Sequence, residues 1–167
     1  NEGMPRQLLA SGYAPLDLIG DFMRTLTGVL MDMRRRPDDV KRAAEALTGP
    51  ITRAALIRPT GRERFVHMPL HLNSLLSPKL YGEFYWPTLK EHLTRIYDSD
   101  LRGFVLFEGD HTAHLETLLE LPRGWGVGDF ERTDVRKALE VLGGHTVVAG
   151  GLMNTFLISA TPEKVVE

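Results

Sequence analysis

The second part of the chain alternates short apolar runs with helical segments, and this alternation limits the fold more than any other feature. The β-prone runs are RFVHMPL (64–70), GFVLF (103–107), WGVGD (125–129) and HTVVAG (145–150). Apolar residues at helical spacing separate these runs. Such an order predicts parallel strands with helical crossovers, and it excludes sandwiches and helical bundles. We therefore expect about four parallel strands in residues 59–167.

The first part of the chain has no such alternation. Apolar residues recur at helical spacing from Leu16 to Met33, after a proline that suits the first turn of a helix. The sequence RRRPDD at 34–39 then ends one helix and starts another, which continues towards Ile57. We predict that residues 1–58 form a helical segment in front of the β/α repeats, within a single structural domain.

Two α/β architectures are compatible with this pattern, an open doubly wound sheet and a (β/α)8 barrel. A complete barrel takes about 250 residues, so four strands correspond to about half of one. The helix that begins at Thr161-Pro162 is interrupted by the end of the sequence after barely a turn. We therefore expect the chain to be a fragment of a longer enzyme.

Composition limits the function classes. The 20 basic residues are balanced by 22 acidic ones, which gives a net charge of −2 and leaves no excess of positive charge to neutralise phosphates, so no nucleic-acid partner is expected. The chain has no cysteine, and therefore no disulfide or thiolate site of its own. We find no apolar run long enough to span a membrane, and a cytoplasmic protein without membrane partners is expected.

Two carboxylates and an imidazole follow the strand at 104–107. Glu108 comes directly after it, and Asp110 and His111 come after Gly109. Because Gly109 already supplies the turn, a carboxylate at 108 has no turn role; if buried, it must be paired, bind a cation or transfer protons. Asp110 has an alternative role as a helix cap. Since α/β folds place their chemistry at strand ends, we predict Glu108 and Asp110 as catalytic residues.

The other predicted strands also end in polar side chains. His71 follows the first of them, and Asp129 ends the third. We predict both as catalytic residues, although Asp129 also suits a turn. The last strand leads to Met153 and Asn154, which together with His111 are expected to contact a cofactor.

Four segments resemble the uroporphyrinogen decarboxylase-like superfamily in order and spacing. They are SPKLYGEFYWPTLK (77–90), FVLFEGDHTAHLETLLELP (104–122), GDFERTDVRKALEVLG (128–143) and AGGLMNTFLISATPEKV (149–165). The superfamily contains haem-pathway decarboxylases and cobalamin-dependent methyltransferases. The resemblance covers the chain from about Arg36 onwards. It implies a (β/α)8 TIM barrel, here a partial one, with its site at the carboxyl ends of the strands.

Both signatures of the superfamily are altered in this chain. Decarboxylases carry an Asp-Ser-Trp-Ala-Gly-type segment where this chain has MPLHLNS at 68–74. Zinc methyltransferases carry His-x-Cys where this chain has Leu106 and Glu108. The resemblance therefore implies a divergent member, in which His71 and Glu108 are the candidate oxygen/nitrogen ligands of a metal.

Corrinoid-linked methyl transfer is the leading function that the resemblance implies, because the decarboxylase segment is missing. Uroporphyrinogen decarboxylation in porphyrin biosynthesis is the alternative, and a non-catalytic tetrapyrrole- or corrinoid-binding fragment is the third. Methyl transfer implies zinc or another divalent metal and a corrinoid carried by a partner protein, whereas a true decarboxylase needs neither. The expected substrate is a tetrapyrrole or a methyl-corrinoid. A homodimer is one expected assembly. Catalytic activity is expected of the full-length protein.

Overall fold

The protein contains one sheet of five parallel strands, arranged in the order in which they occur along the chain. The computed structural model describes residues 9–57, 61, 64–151, 154–162 and 164. The strands are β1 (Leu9–Ser11), β2 (Phe65–Leu70), β3 (Arg102–Phe107), β4 (Gly126–Phe130) and β5 (Val147–Gly150). The sequence predicted about four strands; the additional one, β1, has three residues, too few to show an alternating pattern.

Helical segments connect the strands. The α-helices are α1 (Pro15–Leu18), α2 (Leu26–Arg35), α3 (Pro37–Ala55), α4 (Pro78–Leu80), α5 (Trp86–Asp98), α6 (Val135–Leu142) and α7 (Asn154–Ser159). Two π-helical segments, Ile19–Arg24 and Tyr81–Tyr85, follow α1 and α4 directly, and 3₁₀ helices span Asn73–Leu75 and Thr112–Glu120. Side-chain oxygens of Thr25, Ser77 and Asp134 accept backbone N–H groups at the starts of α2, α4 and α6.

The two faces of the sheet differ in burial. Along β2, β3 and β4, buried residues alternate with half-buried ones, as expected for strands whose side chains point to opposite faces. Val66, Met68, Val105 and Phe107 lie on the buried face and are fully covered. His67 and Phe104 lie on the other face, where their ring centroids are 5.9 Å apart. Only one face of the sheet is therefore closed by the helical layer.

The strand order distinguishes between the two architectures that the sequence left open. A doubly wound sheet reverses its strand order at a switch point and carries helices on both faces. Here β1 to β5 follow one another without reversal, and one face is left half-covered. Sequential parallel strands with helices on one side are the arrangement of a (β/α)8 barrel, so the chain forms part of a TIM barrel.

The N-terminal segment contributes one strand, β1, to the sheet. Ser11 pairs with His67 and Leu9 with Phe65, so α1, α2 and α3 lie within the connection from β1 to β2. The division between residues 58 and 59 stays a prediction. The structure adds that the described part of residues 1–58 contains a strand as well as helices.

The helix that the apolar spacing predicts from Leu16 to Met33 is interrupted. Thr25 has φ 67°, which is outside the helical region, and its side chain caps α2 by accepting the N–H of Gly28 at 3.1 Å. Helix α7 was not predicted, because the sequence pattern placed the last helix start at Thr161-Pro162. Among the described helices, each is either too short or too polar to cross a lipid bilayer.

Candidate functional site

The carboxyl ends of β2 and β3 bring two of the predicted site residues together. His71 is the first residue after β2, and Glu108 is the first after β3, its paired neighbour. The Nε2 atom of His71 lies 3.6 Å from Oε1 of Glu108, which is the distance of an ion pair rather than of a hydrogen bond. Their side chains are 28% and 43% exposed, so both reach solvent from the edge of the sheet.

A carboxylate that was not among the predicted site residues holds the other nitrogen of His71. The Oδ2 atom of Asp21 lies 2.6 Å from Nδ1 of His71. Asp21 belongs to the π-helical segment after α1. The imidazole is thus held at Nδ1 and presents Nε2 towards Glu108.

Asp17 lies beneath this pair and is fully buried. Its carboxylate accepts the backbone N–H of His71 at 3.1 Å and that of Leu72 at 2.9 Å. It also accepts the hydroxyl of Tyr85 at 2.6 Å. Asp17 therefore ties the segment after β2 to α1 and to the second π-helical segment.

Burial shifts the pKa values of Asp17 and His71 in one direction, and hydrogen bonds and nearby charges shift them in the other. Burial raises the pKa of the Asp17 carboxyl to about 6, although its hydrogen bonds oppose the change. Burial disfavours the charged form of His71, but the hydrogen bond and charge of Asp21, with the charges of Glu108 and Asp17, outweigh it and raise the pKa of His71. A proton is therefore held more firmly on His71 than on an ordinary imidazole.

His111 occupies the interior rather than the open part of the site. It is fully buried, its backbone N–H donates to Thr133 Oγ1 at 2.8 Å, and its ring lies 4.4 Å from that of Phe107. Burial, followed by the charge of His114, lowers its pKa well below the ordinary value. Its neutral ring supports the segment after β3, and its predicted contact with a cofactor stays a prediction.

Asn73 joins the segments that follow β2 and β3. Its Nδ2 donates to the carbonyl of Glu108 at 3.0 Å and lies 3.3 Å from Nδ1 of His111. Asn73 is fully buried. It thereby fixes the backbone of Glu108 relative to the segment that begins at His71.

Among the described residues, neither Asp110 nor Asp129 has a hydrogen bond or ion pair with His71 or Glu108, and their predicted catalytic roles stay predictions. Asp110 is exposed and accepts the N–H of Thr112 at 2.9 Å, the capping role that the sequence offered as an alternative. Hydrogen bonds from Thr112 lower the pKa of Asp110. Asp129 is half-buried on β4 and pairs with Ala149 in β5. Asn154 begins α7, and Met153 lies outside the described residues.

The described residues do not complete a zinc site. Nowhere in the described ranges do three His, Asp or Glu side chains come close enough together to hold a metal ion. The Nδ1 atom of His71 is engaged by Asp21, which leaves Nε2 and the Glu108 carboxylate as two donors. Catalytic zinc normally has three protein ligands. A metal held by His71 and Glu108 stays a prediction that needs a further ligand.

A sequence signal for Asp17 and Asp21 does exist. They are four residues apart in LDLIGD at 16–21, so a helix places them on one side of an apolar segment. Because this pair comes just after a strand end, a prediction of β1 would have indicated both as candidate site residues.

The family model for uroporphyrinogen decarboxylase (URO-D) matches residues 6–167 of the chain. No curated protein was found to match the chain.

Proposed function

The chain belongs to the uroporphyrinogen decarboxylase (URO-D) family, and from that premise we propose that it forms the proton-transferring part of a corrinoid-linked methyltransferase. The observation that supports the proposal is the arrangement Asp21–His71–Glu108. One carboxylate holds Nδ1 of the imidazole, and the second lies 3.6 Å from Nε2. An imidazole held in this way is suited to general acid–base catalysis.

In this proposal His71 takes a proton from the methyl acceptor. A corrinoid carried by a partner protein supplies the methyl group when bound. As the bond between the methyl carbon and the acceptor heteroatom formed, the bond from that carbon to the corrinoid cobalt would break and leave its electron pair on the departing corrinoid, and the heteroatom would lose its proton to Nε2 of neutral His71. Asp21 orients the ring, and the nearby negative charge of Glu108 stabilises the imidazolium that results.

Decarboxylation of a tetrapyrrole is the second candidate, and the raised pKa of His71 favours it. In that reaction the bond to the carboxylate carbon breaks, CO₂ leaves, and the electron pair stays on the substrate carbon. Imidazolium at His71 then donates the proton that this carbon accepts. No metal ligand is needed for this step.

The full-length protein should be tested with methyl-corrinoid and a thiol acceptor, and separately with uroporphyrinogen. In the reaction that it catalyses, we expect His71→Gln to lower kcat by 10²- to 10⁴-fold, the usual contribution of a general acid or base. His145→Gln is the matched control, because His145 lies before β5, at the opposite end of the strands. We expect it to have activity near that of the wild type.

Each result distinguishes between the candidates. Turnover of methyl-corrinoid supports the leading proposal, and turnover of uroporphyrinogen alone supports the second. A wild-type protein that binds either compound without turnover is a non-catalytic binding protein, which would overturn both. Equal activity of His71→Gln and His145→Gln would remove His71 from the chemistry.

A further inference from the structure

A basic pocket lies between the π-helical segment Ile19–Arg24, α2 and α3, apart from the pair at the strand ends. Three arginines line it, Arg24, Arg35 and Arg36, and the buried Val40 adds an apolar surface. We propose that this arginine pocket binds a phosphate dianion, either free or as the phosphomonoester of a small soluble molecule. The inference does not depend on the reaction that the enzyme catalyses.

Arg24 is already oriented in the pocket. Its Nε and one terminal nitrogen donate to the two carboxylate oxygens of Asp32 at 2.7 and 3.0 Å. This paired geometry restrains the guanidinium, so less side-chain entropy is lost when the remaining nitrogen binds a ligand. It also neutralises Asp32, whose carboxylate would otherwise repel an anion.

Arg35 and Arg36 provide positive charge that the carboxylates of the pocket do not pair with. Within the described part of the chain, neither side chain has a hydrogen bond or an ion pair, and their charges act on Asp32 only at longer range. The second carboxylate of the pocket, that of Asp39, is paired with Arg42. Two unpaired guanidinium groups beside an apolar wall match the charge of a phosphate dianion, which accepts paired N–H donors.

The backbone fixes where these two arginines stand. Arg36 is the junction between α2 and α3, with φ −143° and ψ 54°, and its N–H donates to the carbonyl of Asp32 at 2.6 Å. Pro37 starts α3 immediately afterwards. Arg34, which precedes them, is exposed but does not line the pocket. Arg34 is therefore a control residue, with the same charge as Arg35 and Arg36 but outside the lining of the pocket.

Isothermal titration calorimetry at low ionic strength tests the proposal, with inorganic phosphate and phenyl phosphate as the probes. We expect Arg35→Gln and Arg36→Gln each to weaken binding at least fivefold and Arg34→Gln to weaken it less than twofold. Arg36→Lys keeps the charge but loses the planar fork, so an intermediate affinity is expected. Thermal unfolding without phosphate shows whether each variant is folded.

Three results would overturn the proposal. The first is the absence of measurable binding of either probe to the wild-type protein. The second is an equal loss in Arg34→Gln and Arg36→Gln, because binding would then follow net charge rather than the pocket. The third is binding to vesicles that contain phosphatidic acid without binding to the soluble phosphates, which would indicate a membrane surface instead.

Discussion

At the scale of single residues, the site rests on the way in which one imidazole is held. Asp21 engages Nδ1 of His71 by a hydrogen bond, while Glu108 acts on Nε2 through its charge. The two carboxylates therefore contribute unequally to proton affinity. A hydrogen bond to the charged form and a nearby opposite charge both raise the pKa of an imidazole, and Asp21 supplies both.

We expect Asp21→Asn to lower the pKa of His71 more than Glu108→Gln does. Both changes remove a negative charge, but only the first also removes the ionic hydrogen-bond acceptor of Nδ1. An NMR titration of the ring protons of His71 measures the pKa in each variant. A larger decrease in Glu108→Gln would contradict the assignment of Asp21 as the main partner.

Asp17 should make stability depend on pH in the opposite sense from a carboxylate whose pKa is lowered by an ion pair, such as Asp32 beside Arg24. Its pKa is raised from 3.8 to about 6, so the folded chain binds a proton that the unfolded chain releases. The contribution of Asp17 to the free energy of unfolding is therefore greatest below pH 4. It falls by about 3 kcal/mol as the pH rises through 6.

Urea unfolding of the wild type and of Asp17→Asn at several pH values tests this. The substitution removes the titrating group, so the stability of the wild type relative to the variant should decrease between pH 4 and 6 and then level off. A difference that is independent of pH would show that the pKa of Asp17 is not raised.

The sequence predicted the open part of this site better than its buried part. Glu108 and His71 could be predicted as candidates because each directly follows an apolar strand. Asp17 and Asp21 lie in a segment whose other residues read as the apolar face of a helix. Only the fold shows that the segment after β2 places its N–H groups against Asp17.

At the scale of elements, two π-helical turns determine which side chains reach the site. Asp21 lies in the first, Ile19–Arg24, and Tyr85 lies in the second, Tyr81–Tyr85. A π-helical turn changes the angular positions of the residues that follow it, and such turns are frequent at functional sites. A pattern of 3.6 residues per turn indicates these helices, but it gives the directions of the Asp21 and Tyr85 side chains only approximately.

Gly109 and Gly124 provide a matched test of how closely the segments after β2 and β3 pack. Both have positive φ, 73° and 75°. A Cβ atom at 109 would overlap the side chain of Ser74, whereas one at 124 would have no neighbour within 4 Å. We expect Gly124→Ala to cost about 1 kcal/mol for the left-handed backbone. Gly109→Ala should cost about 1–3 kcal/mol more for the overlap.

Urea unfolding of the two variants gives these values. Ser74→Gly removes the side chain that the new methyl group meets, so it should restore part of the loss in Gly109→Ala and none in Gly124→Ala. Equal losses in the two alanine variants would mean that the segment carrying Ser74 moves away freely. The position of Glu108 relative to His71 would then not be fixed by packing.

At the scale of the whole molecule, local patterns determined the class of fold but not the strand order. The alternation of apolar runs and helices is common to doubly wound sheets and barrels. The difference is the order of pairing, which is set by contacts between residues far apart in the chain. Leu106 and Asp129, for example, pair across β3 and β4. The helical layer on one face and the half-covered opposite face follow from that order.

The sequential order of the strands also has a consequence for how the protein is made. Because β2 pairs with β1, β3 with β2, and so on to β5, each of the strands β2 to β5 finds a partner among residues that precede it. A ribosome that releases the chain from its N-terminus can therefore let the sheet grow one strand at a time. Each step of that growth leaves the newest strand as an unpaired edge. Aggregation during synthesis is then most readily prevented when the next β/α unit is translated as soon as the newest strand has paired with the strand before it.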